Sequence, residues 1–135
     1  PAGDNIFHPE PQVFVDLLVD VIKKTGISER TTIQSFDVRT LQHAHEQYPI
    51  LKLALLVGNE ESPKQNLQTL GFSPHIYSPY YGLVNANTVS FAKSQGMKII
   101  PWTVNENKDI QEMIDMGIDG IISDYPERVL QLVNP

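Results

Sequence analysis

The hydrophobic positions of this chain form short runs that alternate with segments of helical periodicity. Five runs rich in β-branched and apolar residues are predicted to be strands: Thr31–Phe36, Leu51–Val57, His75–Ser78, Met97–Val104 and Ile118–Ser123. Their first residues lie 20, 24, 22 and 21 positions apart. This spacing accommodates a strand, a helix of about three turns and two loops. The pattern therefore predicts a repeated unit of strand and helix.

The segments between the runs carry the signals of helices. In the first segment, six apolar residues recur at helical spacing and are predicted to form the buried face: Val13, Phe14, Leu17, Leu18, Val21 and Ile22. Glycines are predicted to end helices at Gly26, Gly96 and Gly117, because glycine tolerates a positive φ. Asp37, Asn87 and Asn105 are predicted N-caps, and Pro126 is predicted to lie in the first turn of the last helix.

Strand and helix in alternation imply parallel strands joined by right-handed crossovers. Two architectures satisfy this pattern: an open doubly wound sheet, or an arc of a (β/α)₈ barrel. A leucine-rich solenoid has a similar period, but the chain lacks its asparagine ladder and leucine spacing. No linker or second domain is evident, so residues 1–135 are expected to form one unit. In both architectures, ligand sites lie at the carboxyl ends of the strands.

The predicted strand ends carry the candidate site residues. Trp102, the only tryptophan, lies at a strand end where it is well placed to cover a ligand, although a packed core role is the alternative. Gln34 alternates with Phe36 on one strand face, and its amide could bind a ligand or make a structural hydrogen bond. Helix capping explains Asp37 and Asp124 better than acid chemistry does. Loop packing is the simpler explanation for Tyr77, Tyr80 and Tyr81.

Composition limits the possible functions. The 135 residues are 41% hydrophobic and 19% charged, which permits a folded core. A net charge of −6 argues against nucleic acid or an acidic membrane surface as the main partner. The absence of cysteine excludes disulfides, cysteine-ligated zinc and thiol nucleophiles. No apolar run is long enough to be a transmembrane segment, and none of these features fixes the compartment.

The common catalytic motifs are absent from the sequence. The four histidines do not form a metal-ligand cluster, and His43 and His45 lie two positions apart in a helical segment, so they point to different faces. The chain contains no HExxH, GxSxG, Walker A or GxGxxG motif. No pair of carboxylates suggests general acid–base chemistry.

Three stretches together resemble one enzyme family. They are TIQSFD at residues 32–37, IPWTVN at residues 100–105 and GIDGIISDYP at residues 117–126. In this order and spacing they resemble the C-terminal half of a glycerophosphodiester phosphodiesterase. The resemblance extends from about Pro11 to Leu132, and Ser123 stands where threonine is the commoner family residue.

The resemblance implies a (β/α)₈ barrel of the phospholipase-C-like type, of which this chain supplies about five βα units. It also implies hydrolysis of a glycerophosphodiester to glycerol 3-phosphate and an alcohol. In that family a divalent cation, Ca²⁺ or Mg²⁺, neutralises the phosphate, and two histidines act as acid and base. The family motifs that carry these groups, His-Arg-Gly, Glu-x-Asp, His-Asp and Glu-x-Lys, are absent from this sequence.

The resemblance therefore divides the expected roles between this chain and a missing half. The chain is expected to begin after those motifs, to hold no catalytic residue or cation, and to be inactive alone. Carried over from the family, Gln34, Phe36 and Trp102 are expected to bind substrate. The expected partners are a glycerophosphodiester and the missing N-terminal half of the barrel, with homo-oligomers possible through exposed strand edges.

Two other functions remain open from the sequence. One is a non-catalytic binding or interaction domain that retains the barrel half. The other is an unrelated α/β enzyme, such as a barrel aldolase or a flavodoxin-like module. The latter is disfavoured because no phosphate loop and no lysine at a strand end with a carbonyl-handling neighbourhood are present.

Overall fold

Four parallel strands, arranged in chain order, form the sheet in the part of the chain that the structure describes. A computed structural model describes residues 3–133. The strands are β1 (Thr32–Ser35), β2 (Lys52–Val57), β3 (Ile76–Pro79) and β4 (Lys98–Ile99), in the order β1-β2-β3-β4. The helices are α1 (Pro11–Thr25), α2 (Val38–Gln47), α3 (Pro63–Leu70), α4 (Ala86–Ser94), α5 (Asn107–Asp115) and α6 (Pro126–Val133), with 3₁₀ turns at Ser28–Arg30 and Tyr81–Leu83. The prediction of an α/β fold with a parallel sheet is confirmed.

The strand register gives the sheet two different faces. Gln34 pairs with Ala54, and Leu56 pairs with Ser78. The residues that alternate with these along each strand point to the helices and form the core: Ile33, Leu53, Leu55, Val57, Tyr77 and Ile99. We call the opposite side the inner face. Continued past the strand ends, it includes Gln34, Phe36, Gly58, Ser78, Tyr80 and Trp102.

The fourth predicted strand is shorter than the sequence indicates, and the fifth is not formed as a strand in the part of the chain that the structure describes. β4 is assigned over Lys98–Ile99 only, with one further bridge between Tyr80 and Trp102. Residues 118–123 follow β4 without forming a regular strand. The N–H of Asp119 donates to the Ile99 carbonyl and that of Ile122 to the Pro101 carbonyl, both at 2.9 Å. Between these two bonds, the segment at 118–123 advances by three residues while its neighbour advances by two. The extra residue interrupts the regular ladder of backbone hydrogen bonds.

The predicted buried face of α1 is confirmed at Ile22, which is buried, and at Leu18, which packs against the core, but it is wrong at the other four residues. The residues that α1 buries are Pro11, Val15, Val19 and Ile22. Val13, Phe14, Leu17 and Val21 are 51%, 49%, 57% and 57% exposed. α1 therefore has a second apolar surface, which we call the outer stripe of α1, defined by these four residues. A helix with apolar residues on two sides is typical of one that packs between neighbours.

The predicted helix ends are mostly confirmed. Gly26, Gly96 and Gly117 all have positive φ values, and Pro126 is the first residue of α6. The Asp37 carboxylate accepts the N–H of Arg39 at 3.0 Å and caps α2. Two N-cap predictions are wrong. Asn85, not Asn87, caps α4, and Glu106 precedes α5, because the Asn105 side chain is engaged elsewhere.

The histidines are separated as predicted. His43 contacts the Asp16 carboxylate at 2.9 Å, whereas His45 stacks on Phe72 with ring centroids 3.9 Å apart. Within residues 3–133, no helix is long and apolar enough to cross a membrane.

Candidate functional site

Trp102 is fixed at the carboxyl edge of the sheet by three hydrogen bonds, two to the end of β3 and one to the turn that follows it. Its backbone N–H donates to the Pro79 carbonyl at 3.1 Å, and its carbonyl accepts the N–H of Tyr81 at 2.9 Å. The indole Nε1–H donates to the Ser78 carbonyl at 2.8 Å. Because both backbone and side chain are bonded, the position of the indole is set by β3 as well as by its own segment.

Three aromatic rings meet at this edge, and we call them the aromatic wall: Phe36, Tyr80 and Trp102. The Phe36 and Trp102 rings meet edge to face, with centroids 5.3 Å apart and planes at 89°. The Tyr80 ring lies 5.7 Å from the indole. Phe36 is 58% and Tyr80 41% exposed, so the wall presents apolar surface to solvent at the strand ends.

Gly58 leaves room for the indole at the end of β2. A methyl group on Gly58 would lie 3.6 Å from Trp102 Cη2 and 3.8 Å from Phe36 Cε1. The indole therefore extends from the β4 side across β3 to the ends of β2 and β1. The carboxyl ends of these strands consequently build one continuous surface.

Gln34 lies on the same inner face, two residues before Phe36 in β1. Its side chain is exposed. Among the residues that the structure describes, its amide makes no side-chain hydrogen bond. Both the carbonyl and the NH₂ of the amide are therefore accessible to solvent or to a ligand. The structure thus brings Phe36 and Trp102 into contact and places Gln34 on the same inner face, two residues before Phe36.

The two aspartates at this edge are engaged in structural bonds. Asp124 Oδ2 accepts the Asn105 amide at 2.8 Å, and the Asp124 N–H donates back to Asn105 Oδ1 at 3.0 Å. Arg39 pairs with Asp37 and with Asp4, each at 2.7 Å. These bonds tie the strand ends together and hold the N-terminal segment at the same rim. Asp37 caps α2 as expected, whereas the expectation that Asp124 caps a helix is wrong, because its carboxylate accepts the Asn105 amide instead.

The pKa values of Tyr77 and Tyr81 are raised above the ordinary tyrosine value. Hydrogen bonding with Tyr80 raises the pKa of Tyr81, and burial raises the pKa of Tyr77. Tyr77 is a buried strand residue, 2% exposed, so its predicted place in loop packing is wrong. Tyr80 belongs to the aromatic wall.

No metal-binding group is evident in the described part of the chain. Over residues 3–133, no three or more histidines, aspartates or glutamates are grouped so that they could hold a metal ion. The chemistry offered here is apolar ring surface with one accessible amide. Such a surface can bind and orient a ligand that has a hydrocarbon part and hydroxyl groups. It contains no carboxyl or imidazole group that could donate a proton.

The sequence did not identify Gly58 and Ser78 as site residues, although both lie at the carboxyl ends of predicted strands. The feature that could have identified them is a small residue at an inward-facing position. There, a large neighbouring side chain either fills the free space or hydrogen-bonds to the backbone. Nothing in the sequence links Asp4 to Arg39, because that ion pair depends on how the N-terminal segment folds back.

Comparison with known proteins relates the chain to one family. The sequence model of the glycerophosphoryl diester phosphodiesterase family matches residues 4–128. A glycerophosphodiester phosphodiesterase of Caldanaerobacter subterraneus is 36% identical over 118 residues, which cover 86% of this chain and 47% of that protein. The chain thus spans about half the length of the curated relatives it matches.

Solved structures match over the same extent. A glycerophosphodiester phosphodiesterase from Parabacteroides distasonis matches with a TM-score of 0.80 and 28% identity, over 93% of this chain and 53% of that chain. An Oleispira antarctica phosphodiesterase, solved with its product sn-glycerol-3-phosphate, matches with a TM-score of 0.78 and 19% identity, over 93% of this chain and 51% of that chain. The sheet and helices described here correspond to about half of the (β/α)₈ barrel in such structures, which decides between the two architectures that the sequence allowed.

Proposed function

The chain belongs to the glycerophosphoryl diester phosphodiesterase family, and from this premise we propose that it forms the substrate-side half of an enzyme that hydrolyses glycerophosphodiesters. In the reaction, the oxygen of water forms a bond to phosphorus, the bond to the alcohol oxygen breaks, and that oxygen takes up a proton. The products are glycerol 3-phosphate and an alcohol.

The observation that carries the proposal is the aromatic wall at the carboxyl ends of the strands. Barrel enzymes place their substrates at this edge. Phe36 and Trp102 offer ring faces and edges to the carbon atoms of a glycerol or alcohol group, and Gln34 offers an amide for its hydroxyl groups. Residues 3–133 contain no group suited to a metal ion, so we assign the divalent cation, the acid and the base to the N-terminal half.

That N-terminal half is the proposed partner, and it would cover surfaces at both ends of the arc. At one end, β1 is the edge strand of the sheet, and α1, which precedes it in the chain and packs on α2, has its outer stripe exposed. At the other end, Leu130 and Val133 of α6 are exposed. In a closed barrel each terminal unit packs against the next, which would bury these apolar surfaces and pair the open strand edges.

A completed barrel tests the proposal. The N-terminal half of the Caldanaerobacter relative would be joined to this chain, and glycerol 3-phosphate release from glycerophosphocholine would be followed with Ca²⁺ or Mg²⁺. We expect metal-dependent turnover by the joined protein and none by either half alone, since general acid–base catalysis by itself contributes about 10²–10⁴-fold. Ligand binding without turnover by the joined protein would instead favour a non-catalytic binding domain. Turnover by this chain alone would overturn the division of roles.

A further inference from the structure

The ladder between β3 and the segment after β4 has a missing donor at Pro79. Its register runs from the pair formed by Tyr77 and Ile99 to the bridge between Tyr80 and Trp102. In a regular parallel ladder with this register, the N–H of residue 79 would donate to the carbonyl of Ile100. Proline has no N–H, so the Ile100 carbonyl lacks its ladder partner.

The Ser78 hydroxyl replaces that donor. Ser78 Oγ donates to the Ile100 carbonyl at 2.6 Å, and the serine is 1% exposed. On either side of this bond the ladder is regular: the Ile100 N–H donates to the Tyr77 carbonyl and the Trp102 N–H to the Pro79 carbonyl, both at 3.1 Å. The hydroxyl therefore joins two parts of a ladder that proline would otherwise interrupt.

The same serine also holds the indole. Its carbonyl accepts Trp102 Nε1–H at 2.8 Å. Ser78 thus binds Ile100 through its side chain and Trp102 through its backbone, and these two residues bracket Pro101. We propose that Ser78 is a positioning residue, whose hydroxyl substitutes for the missing N–H of Pro79 and thereby fixes Trp102 in the aromatic wall. Its effect on substrate use rests on the role proposed for Trp102 above.

Fluorescence of the chain tests the positioning directly, because Trp102 is its only tryptophan. In Ser78→Ala the Ile100 carbonyl loses its donor, so the emission of Trp102 should shift to the red and its quenching by acrylamide should increase. Ser78→Thr keeps the hydroxyl and should resemble the wild type. Thr31→Val is the matched control, because it removes a hydroxyl that donates to the Ile27 carbonyl at 2.8 Å, at the opposite edge of the sheet.

A second substitution tests the mechanism. Pro79→Ala restores a backbone N–H at position 79, so Ser78→Ala/Pro79→Ala should return quenching toward the wild-type value. In the completed barrel, Ser78→Ala should raise KM about two- to tenfold, the range expected for one hydrogen bond, with kcat little changed. The double variant should recover most of that loss.

Two results would overturn the proposal. One is a Trp102 emission spectrum and acrylamide quenching in Ser78→Ala that equal those of Thr31→Val, while the melting temperature of Ser78→Ala is lowered. The other is a double variant no better than Ser78→Ala. If the proposed function is wrong, the completed wild-type barrel will show no turnover. The fluorescence of the chain tests the role of Ser78 independently of that result.

Discussion

Phe36 and Trp102, which are distant in the sequence, meet edge to face with ring centroids 5.3 Å apart and planes at 89°. Their contact joins the end of the first strand to the segment that follows the fourth. It does so across the narrow gap left by Gly58. The inner face at the carboxyl edge of the sheet is therefore one surface. A substitution that disturbs any of these contacts should change the positions of the other residues.

Replacing Trp102 with alanine should impair substrate use more than folding. The indole is only half-buried at a strand end, so its loss removes wall surface rather than core. In the completed barrel, Trp102→Ala should mainly raise KM, with a smaller effect on kcat. A variant that melts far below the wild type, yet whose folded fraction has normal kinetics, would show that Trp102 is a core residue.

Enlarging Gly58 should displace the aromatic wall. A methyl group there would lie 3.6 Å from Trp102 Cη2, an ordinary contact, so Gly58→Ala should behave nearly as the wild type. The further methyl groups of Gly58→Val would meet the Trp102 or Phe36 ring. We expect a changed Trp102 emission spectrum and a raised KM for Gly58→Val only. Equal spectra for the two variants would contradict the close approach.

A charge on the outer stripe of α1 should prevent assembly without unfolding the chain. Leu17 is 57% exposed, so Leu17→Lys should change the free energy of unfolding of the isolated chain by less than about 0.5 kcal/mol. Binding to the N-terminal half should be lost, as measured by calorimetry. Gln12→Lys, exposed on the polar side of the same helix, is the control. Equal binding by both variants would show that the partner does not cover this stripe.

The Asp16 carboxylate should make stability depend on acid pH. It accepts hydrogen bonds from Tyr48 at 2.8 Å and shares a 2.9 Å bond with His43. The bond with His43, then that from Tyr48, lowers the pKa of Asp16 below 3.8. A carboxylate with a lowered folded-state pKa stabilises the fold above its unfolded value, and that stability is lost as pH falls through the folded value.

The difference in melting temperature between wild type and Asp16→Asn should therefore be present at about pH 7 and shrink by about pH 3. Asp20→Asn, exposed on the same helix, serves as the control for removing a surface charge. If the difference stays constant with pH, the hydrogen bonds do not favour the ionised carboxylate.

The open strand edges should make the isolated chain associate with itself. Among residues 3–133, β1 pairs only with β2, and residues 118–123 bond to the β4 side through single, irregular bonds. Unpaired N–H and C=O groups beside apolar side chains promote pairing between chains, and a net charge of −6 cannot satisfy them. Light scattering at micromolar concentration should detect dimers or aggregates. A stable monomer with strong hydrogen-exchange protection in both segments would contradict the open arc.

Several features of this fold follow from local sequence. β1, β2 and β3 lie within one residue of their predicted bounds, because buried parallel strands read as short apolar runs between helical segments. Gly26 and Asp37 end and begin helices through their own backbone and side-chain chemistry. The edge at which Trp102 lies was likewise predictable, since parallel strands bring all their carboxyl ends to one side.

The tertiary structure alone decided which surfaces meet. Periodicity identified the apolar residues of α1 but not which side is buried, because burial depends on the neighbouring elements and α1 carries apolar residues on two sides. The irregular segment at 118–123 results from a one-residue mismatch with its neighbour, which no local pattern records. The Asp4–Arg39 pair, the Phe36–Trp102 contact and the bond from Ser78 to Ile100 join residues distant in sequence. Such contacts arise only when strand register and chain path bring the atoms together.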